Sequence, residues 1–188
     1  MAKRKPNSGA LAIGFDWETT GLNKHPDADL NKQPKAIEFG CVLISLDDGD
    51  TVDKFNILID PDEPLDADII RITGLTDEQL RGQPTFIEAW AQIRPYFDRC
   101  AAMFAHNLPF DRMILANELL RNGIEDFKFP ARQTCTVGIY REQWGRNPKL
   151  LELYESVMGK PLAQTHRALD DVEAMVEIVQ KELLWQVM

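Results

Sequence analysis

Apolar and polar positions along this chain switch between two periods, and the switch points divide it into elements. LAIGF at residues 11–15 is a short unbroken apolar run that reads as a buried strand over residues 10–17. It runs out on two acids one residue apart, Asp16 and Glu18. A polar segment from Thr19 to Lys35 follows, with Pro26 and Pro34 inside it, and connections of this length are often functional. KAIEFGCVLIS and TVDKFNILI are two further β-rich runs, and Asp48-Gly49 between them predicts a hairpin turn.

Helical spacing takes over after DPDEP. DADIIRITG and TDEQLRG predict two short helices, each closing on a glycine. PTFIEAWAQIRPYF places Phe86, Ile87, Trp90 and Ile93 at helical spacing behind a proline. AAMFAH is a short apolar strand. Phe110, Met113, Ile114 and Leu120 then define an amphipathic helix from Leu108 to Arg121, stopped at Asn122-Gly123. RQTCTV is the last strand candidate, and helices are expected over about 136–144 and 149–158. A final helix over roughly 167–184 carries Ala168, Val172, Met175, Val176, Val179 and Leu183 on one face. Strands joined by a hairpin, then strands alternating with helices, predict an α/β fold built on a mixed sheet.

Composition narrows the picture. A chain of 188 residues suits one domain, and 44% apolar with 27% charged residues is ordinary for a globular one. The opening MAKRKPNSG is basic and is expected to be a flexible tail over residues 1–9. No apolar stretch approaches the ~18 residues that suggest a membrane span. Cys41, Cys100 and Cys135 are scattered without zinc spacing, a pattern that fits a reducing, cytoplasmic setting.

Charge is uneven. The formal net charge of −9 argues against a protein that coats nucleic acid through phosphate contacts. Residues 47–80 carry eleven acids and two bases, whereas residues 128–167 carry seven bases and three acids. That basic stretch can grip a polyanion locally, and a solvated surface accounts for it equally well.

Three groups of residues carry possible chemistry. Asp16 and Glu18 point to the same side of a strand, about 7 Å apart. Held so, they repel unless a cation lies between them, and oxygen-only ligands suit Mg²⁺ or Mn²⁺. Two solvated strand-end acids explain the pair more simply when it is taken alone. In HNLPFD, Asn107 is placed to cap a helix and Asp111 to face the helix dipole, yet strand-to-helix junctions are also where α/β sheets bind ligands. In THRALDD, His166 precedes the last helix and Asp171 sits in its early turns. The dipole does not favour a charged imidazole there, so a neutral one able to accept a proton from water is expected; a packing histidine is the plainer account. Asp170 is expected to face solvent.

Together, Asp16, Glu18, Asp111, Asp171 and His166 resemble the DEDDh signature of the 3′-5′ exonucleases, the DnaQ-like proofreading exonuclease family. FDWETTG, HNLPFD and HRALDD match its three motifs in order. AIEFGCVLI resembles the family's second strand, ITGLTDEQL its loop and helix, and KLLELYESVMGK the helix before the histidine motif. The similarity spans residues 10 to about 184. Trp17 departs from the pattern, standing where a small or β-branched residue is usual, and the Thr19–Lys35 segment looks longer than in compact members.

The resemblance implies a ribonuclease H-like α/β fold, with a five-stranded mixed sheet flanked by helices in one exonuclease domain over residues 10–188. It implies hydrolysis of the terminal phosphodiester at 3′ ends of single-stranded DNA, releasing nucleoside 5′-monophosphates. Two divalent ions, Mg²⁺ or Mn²⁺, about 3.5–4 Å apart, are implied as cofactors. By analogy Asp16 bridges both ions, Glu18 and Asp171 serve the nucleophile-side ion, Asp111 holds the second, and His166 deprotonates the attacking water. Thr19, Leu22, Asn107 and Phe110 are the implied substrate-binding residues, with Leu22 a wedge against the terminal base and Phe110 an aromatic beside it. The alternatives are an exoribonuclease similar to ribonuclease T or oligoribonuclease, and a catalytically silent polymerase-binding module. A DNA polymerase is an implied partner, a membrane is not, and a monomer is the default.

Overall fold

A computed structural model of the chain describes residues 8–22, 28–163 and 165–188. Five strands and seven α-helices follow one another in these residues. They are β1 (Leu11–Thr19), β2 (Ala36–Ser45), β3 (Thr51–Leu58), α1 (Ala67–Thr73), α2 (Asp77–Leu80) and α3 (Phe86–Asp98). Then come β4 (Cys100–Ala105), α4 (Leu108–Arg121), β5 (Arg132–Cys135), α5 (Thr136–Trp144), α6 (Leu150–Met158) and α7 (Ala168–Lys181). The strands form one sheet in the order β3-β2-β1-β4-β5. β1, β2 and β3 pair antiparallel, while β4 and β5 join parallel to β1, so the sheet is mixed.

Strand alternation sorts the core into two layers. Ile13, Phe15 and Trp17 of β1 face α3 and α4 together with Phe39, Cys41 and Leu43 of β2. Ala12 of β1, Val42 and Ile44 of β2 and Phe104 of β4 face the other way, onto α6 and α7. Asp16 and Glu18 share the parity of Ala12 and therefore belong to the α7 side. The departure at Trp17 falls on the opposite side: its indole packs 4.5 Å from the ring of Phe39 and 6.2 Å from that of Phe86.

Gly40 lets the α7 layer close. It pairs with Asp16 across β1 and β2, and a Cβ built on it would lie 2.4 Å from the amide nitrogen of Leu169. No side chain fits between β2 and the first turn of α7, so helix backbone rests directly on strand backbone beside Asp16. At the predicted hairpin, Gly49 has φ +82°, the left-handed region that glycine adopts without strain, and the indole of Trp185 covers it.

The long connection after β1 is clamped at both ends. The Thr20 amide donates to the Lys35 carbonyl at 2.9 Å, and the Lys35 amide to Thr20 Oγ1 at 3.0 Å. Arg121 Nη2 donates to the carbonyls of Leu30, Gln33 and Pro34 while its Nη1 pairs with buried Glu118. Residues 23–27 of this connection lie outside the described residues.

Several expectations need correction. β1 continues past the expected end at residue 17, through Glu18 to Thr19, and pairs Glu18 with Glu38. Ile87 is 52% exposed because α3 buries Phe86, Ala89, Trp90 and Ile93, and Ile87 lies a quarter-turn from that stripe. Leu120 of α4 is 67% exposed for the same reason, beside buried Glu118 and Leu119. The last helix stops at Lys181, and Leu183, in the left-handed region at φ 55°, opens a short 3₁₀ turn, Leu184–Val187. Residues 1–7 of the expected tail lie outside the described residues. Its last two residues are tied down, with the amides of Ser8 and Gly9 both donating to the carboxylate of Asp47 at 2.9 Å.

Gly40→Ala is expected to cost about 1–3 kcal/mol through overpacking against backbone. It should appear as a lower urea midpoint at unchanged m-value; an unaltered midpoint would mean that α7 is not seated on Gly40.

Candidate active site

Three carboxylates converge where α7 crosses β1. Asp16, Glu18 and Asp171 each offer an oxygen, and these oxygens lie within 4.8 Å of one another. Asp171 reaches the strand pair because the helix backbone rests on Gly40 a turn earlier. Asp111 comes from the first turn of α4, at the end of neighbouring β4. It is 2% exposed, and its Oδ1 is buried without a hydrogen-bond partner. Asp16, Asp111 and Asp171 share a cavity of about 350 Å³ with His166, Asn107, Phe110 and Lys149.

Burial and mutual repulsion dominate the electrostatics. Desolvation raises the Asp16 carboxyl well above its ordinary value, and the charges of Asp111, Asp171 and Glu38 push it further. Desolvation and then Asp16 push Glu18 up to about 9, against a smaller opposing pull from Arg167. Desolvation also raises Asp111, although hydrogen bonds from the amides of Trp17 and of Asp111 itself oppose it.

The sequence-derived candidates separate once placed. His166 is exposed at the cavity, in the left-handed conformation at φ 50°, directly before α7. Asp170 is exposed and accepts from Thr165 Oγ1 at 2.6 Å. Asn107 holds the N-cap position of α4 but makes no side-chain capping bond, so capping does not explain it; it is exposed at the cavity. Thr19 is buried and spends its hydroxyl on the Gly21 carbonyl at 2.6 Å, while Leu22 is 72% exposed; neither lines the cavity. Within the basic stretch, Arg146 pairs through both terminal nitrogens with Glu152, each at 2.8 Å, and Arg141 Nε donates to Asn147. Lys149 is the member of that stretch, besides His166, that lines the cavity.

Three contributors escaped the sequence reading. His106 Nε2 lies 3.1 Å from the Pro148 carbonyl, and its Nδ1 lies 2.8 Å from Thr136 Oγ1. A carbonyl only accepts, so Nε2 carries the proton, and burial lowers the imidazole's pKa. This bridge ties the end of β4 to the loop presenting Lys149. Glu38 and Arg167 pair beside the acidic cluster. The sequence signals were there, a glutamate inside an apolar strand and an arginine beside His166, but partners 129 residues apart cannot be matched by pattern.

The donor set tests well for a divalent cation. It is made only of carboxylate oxygens, includes a buried oxygen without a partner, and carries more negative charge than its burial tolerates. Asp16, Glu18, Asp111 and Asp171 are the residues that would hold it.

A mixed five-stranded sheet in this order, flanked by helices, is a ribonuclease H-like fold. Comparison with known proteins agrees. The exonuclease family model RNase_T matches residues 13–179, and the chain belongs to that family. The DNA polymerase III PolC-type protein of Pediococcus pentosaceus is 32% identical over 168 residues, covering 89% of this chain and 11% of that protein. Its Bacillus subtilis counterpart is 31% identical over 174 residues, covering 91% and 11%. The chain therefore spans about a tenth of the length of these curated relatives. Among solved structures, the nuclease domain of 3′hExo, a DEDDh family member bound to rAMP, superposes with a TM-score of 0.76 at 18% identity, covering 96% of this chain and 94% of that one. The zinc-bound Escherichia coli ExoI–ssDNA complex gives 0.74 at 17% identity, covering 96% and 42%.

The raised carboxyls make stability pH-dependent in a definite direction. With folded values above those of the unfolded chain, Asp16 and Glu18 contribute fully below about pH 4, and the contribution is lost as pH climbs toward about 9 for Glu18. In chelator, Tm is expected to fall between about pH 5 and pH 9, and added Mg²⁺ or Mn²⁺ should raise it most at the alkaline end. Calorimetry showing equal metal shifts at both ends would rule out this coupling.

Proposed function

We propose that the chain removes nucleotides from the 3′ ends of single-stranded DNA by hydrolysis, releasing nucleoside 5′-monophosphates, with two divalent ions held by Asp16, Glu18, Asp111 and Asp171. The observation that carries this reading is the meeting of Asp16, Asp111 and Asp171 with His166 in one cavity, with Glu18 joined to Asp16 and Asp171 in a single carboxylate cluster. We take residues 10–188 as one exonuclease domain, and the free cysteines accord with a cytoplasmic setting.

The divalent ions supply Lewis-acid polarisation of the phosphate and ease the deprotonation of water. The chain's own groups do the rest. His166, exposed at the rim, accepts a proton from the attacking water. The water oxygen bonds to phosphorus as the bond from phosphorus to the 3′ oxygen of the penultimate nucleotide breaks, and that oxygen takes a proton from solvent. Lys149 offers a point charge to a phosphate of the incoming strand. Phe110 supplies an apolar face and Asn107 a hydrogen-bonding amide at the cavity for the terminal nucleotide. Leu22, beyond the Thr19 turn, is free to wedge against the terminal base from outside the cavity.

The PolC-type relatives support DNA as the substrate and a polymerase as the working partner. A second reading, trimming of RNA, draws on the neighbour solved with rAMP. Incubation with 5′-labelled single-stranded DNA and RNA of equal sequence, with Mg²⁺, Mn²⁺ or chelator, separates them. A metal-dependent ladder on DNA that Asp16→Asn eliminates is expected. A ladder on RNA alone transfers the chain to the second reading, and no ladder at all leaves a silent binding module.

The cavity geometry separates the bases of residues 128–167. Lys149→Ala is expected to raise KM about tenfold, an effect worth about 1.4 kcal/mol, while Arg146→Ala, already committed to Glu152, leaves KM unchanged. Equal effects of the two would remove Lys149 from the substrate path.

A further inference from the structure

Glu38 is the acid that the reaction just described does not use. It lies on β2 directly across from Glu18 and is fully buried, at 0% exposure. A carboxylate placed beside a cluster of carboxylates and cut off from water is costly unless it is fully paired. Here it is. Oε2 accepts from Arg167 Nε at 2.9 Å and from the Ala168 amide at 3.3 Å. Oε1 accepts from Arg167 Nη2 at 2.7 Å and from Asn56 Nδ2 at 2.9 Å. Four donors fill the four acceptor directions of a carboxylate, which leaves none for a cation. Glu38 is therefore not another metal ligand.

Its donors sit at an informative place. Arg167 follows His166, and Ala168 is the first residue of α7. His166 holds φ at 50°, a conformation that costs a residue other than glycine of order 1–3 kcal/mol and persists only where the surroundings impose it. The Arg167–carboxylate contact is a two-pronged fork, the geometry that fixes orientation as well as distance. One buried side chain thus grips the backbone amide and the guanidinium that immediately follow the strained turn.

We propose that Glu38 is a positioning residue of this nuclease: by clamping Arg167 and the start of α7 to β2, it holds the His166 imidazole over the Asp16–Glu18–Asp171 cluster. This rests on the exonuclease reading, with His166 as the proton acceptor. Arg167 serves a second purpose in the same contact, since it is the cation that opposes the repulsion at Glu18.

The test is a double-mutant cycle with a structural readout. Glu38→Gln keeps the shape but turns an amide toward the guanidinium. It is expected to lower kcat about 10–100-fold with KM little changed, the range found when a partner of a site residue is lost. In a His166→Ala background the same change should cost less than about twofold, because there is no imidazole left to misplace. In the metal-free protein, amides 165–171 should exchange hydrogen faster in Glu38→Gln while those of β1 and β4 do not. Arg167→Lys, at the partly exposed end of the pair, keeps the charge but not the fork; both readouts should move the same way, and it decides the matter should Glu38→Gln not fold. An equal loss of kcat with and without His166, or unaltered exchange over 165–171, overturns the clamp. A wild-type chain without nuclease activity sinks the exonuclease reading instead, and exchange alone then judges whether Glu38 holds the turn.

Discussion

The rest of this structure depends on repulsion between carboxylates that share a space too small and too dry for them. Asp16, Glu18, Asp111 and Asp171 crowd one end of the sheet, and Glu38 stands just behind. Inside a protein such charges interact several-fold more strongly than in water. Without compensation the site holds protons at pH values where an ordinary carboxylate is bare, and Glu18 is displaced up to about 9. Compensation comes in two forms. Arg167 is built in and permanent, and with the Ala168 amide and Asn56 it satisfies Glu38 completely. The cluster in front is left as a set of carboxylate oxygens that could hold a divalent cation.

Holding repelling groups together requires a frame that does not yield. The two-sided core supplies it: an aromatic layer under α3 and α4, a mainly aliphatic one under α6 and α7, and β1 buried between them. Backbone contact at Gly40 fixes the height of α7 over the sheet, which decides whether Asp171 reaches Asp16. On the other flank, His106 joins strand end, α5 and the Lys149 loop, so the cavity walls are tied by hydrogen bonds and not by packing alone. The substitution at Trp17 is absorbed on the far side of β1, away from the cavity. Its indole nitrogen remains buried without a hydrogen-bond partner, and nothing in the structure explains why an indole stands there.

The relation to the PolC-type polymerases is that of a part to a whole. The region of similarity is about a tenth of their length.

Much of this could be read along the chain. Strand alternation put Asp16 and Glu18 on one side and the helical stripe of α7 put Asp171 in its first turns, because each of these relations spans only a few bonds of known geometry; the acids and His166 were named as a set by their resemblance to a family. The same local rules misplaced Ile87 and Leu120, since a helix has one buried face and only its neighbours decide which, and they carried Leu183 into a helix that stops at Lys181. What lay beyond the sequence were relations between distant segments: the fork from Arg167 to Glu38, the His106 bridge to Pro148, and the choice of Lys149 over Arg146 at the cavity. Hydrogen bonds and ion pairs are short-ranged and directional, so they exist only after the sheet and helices have packed, and no periodicity in the chain records them beforehand.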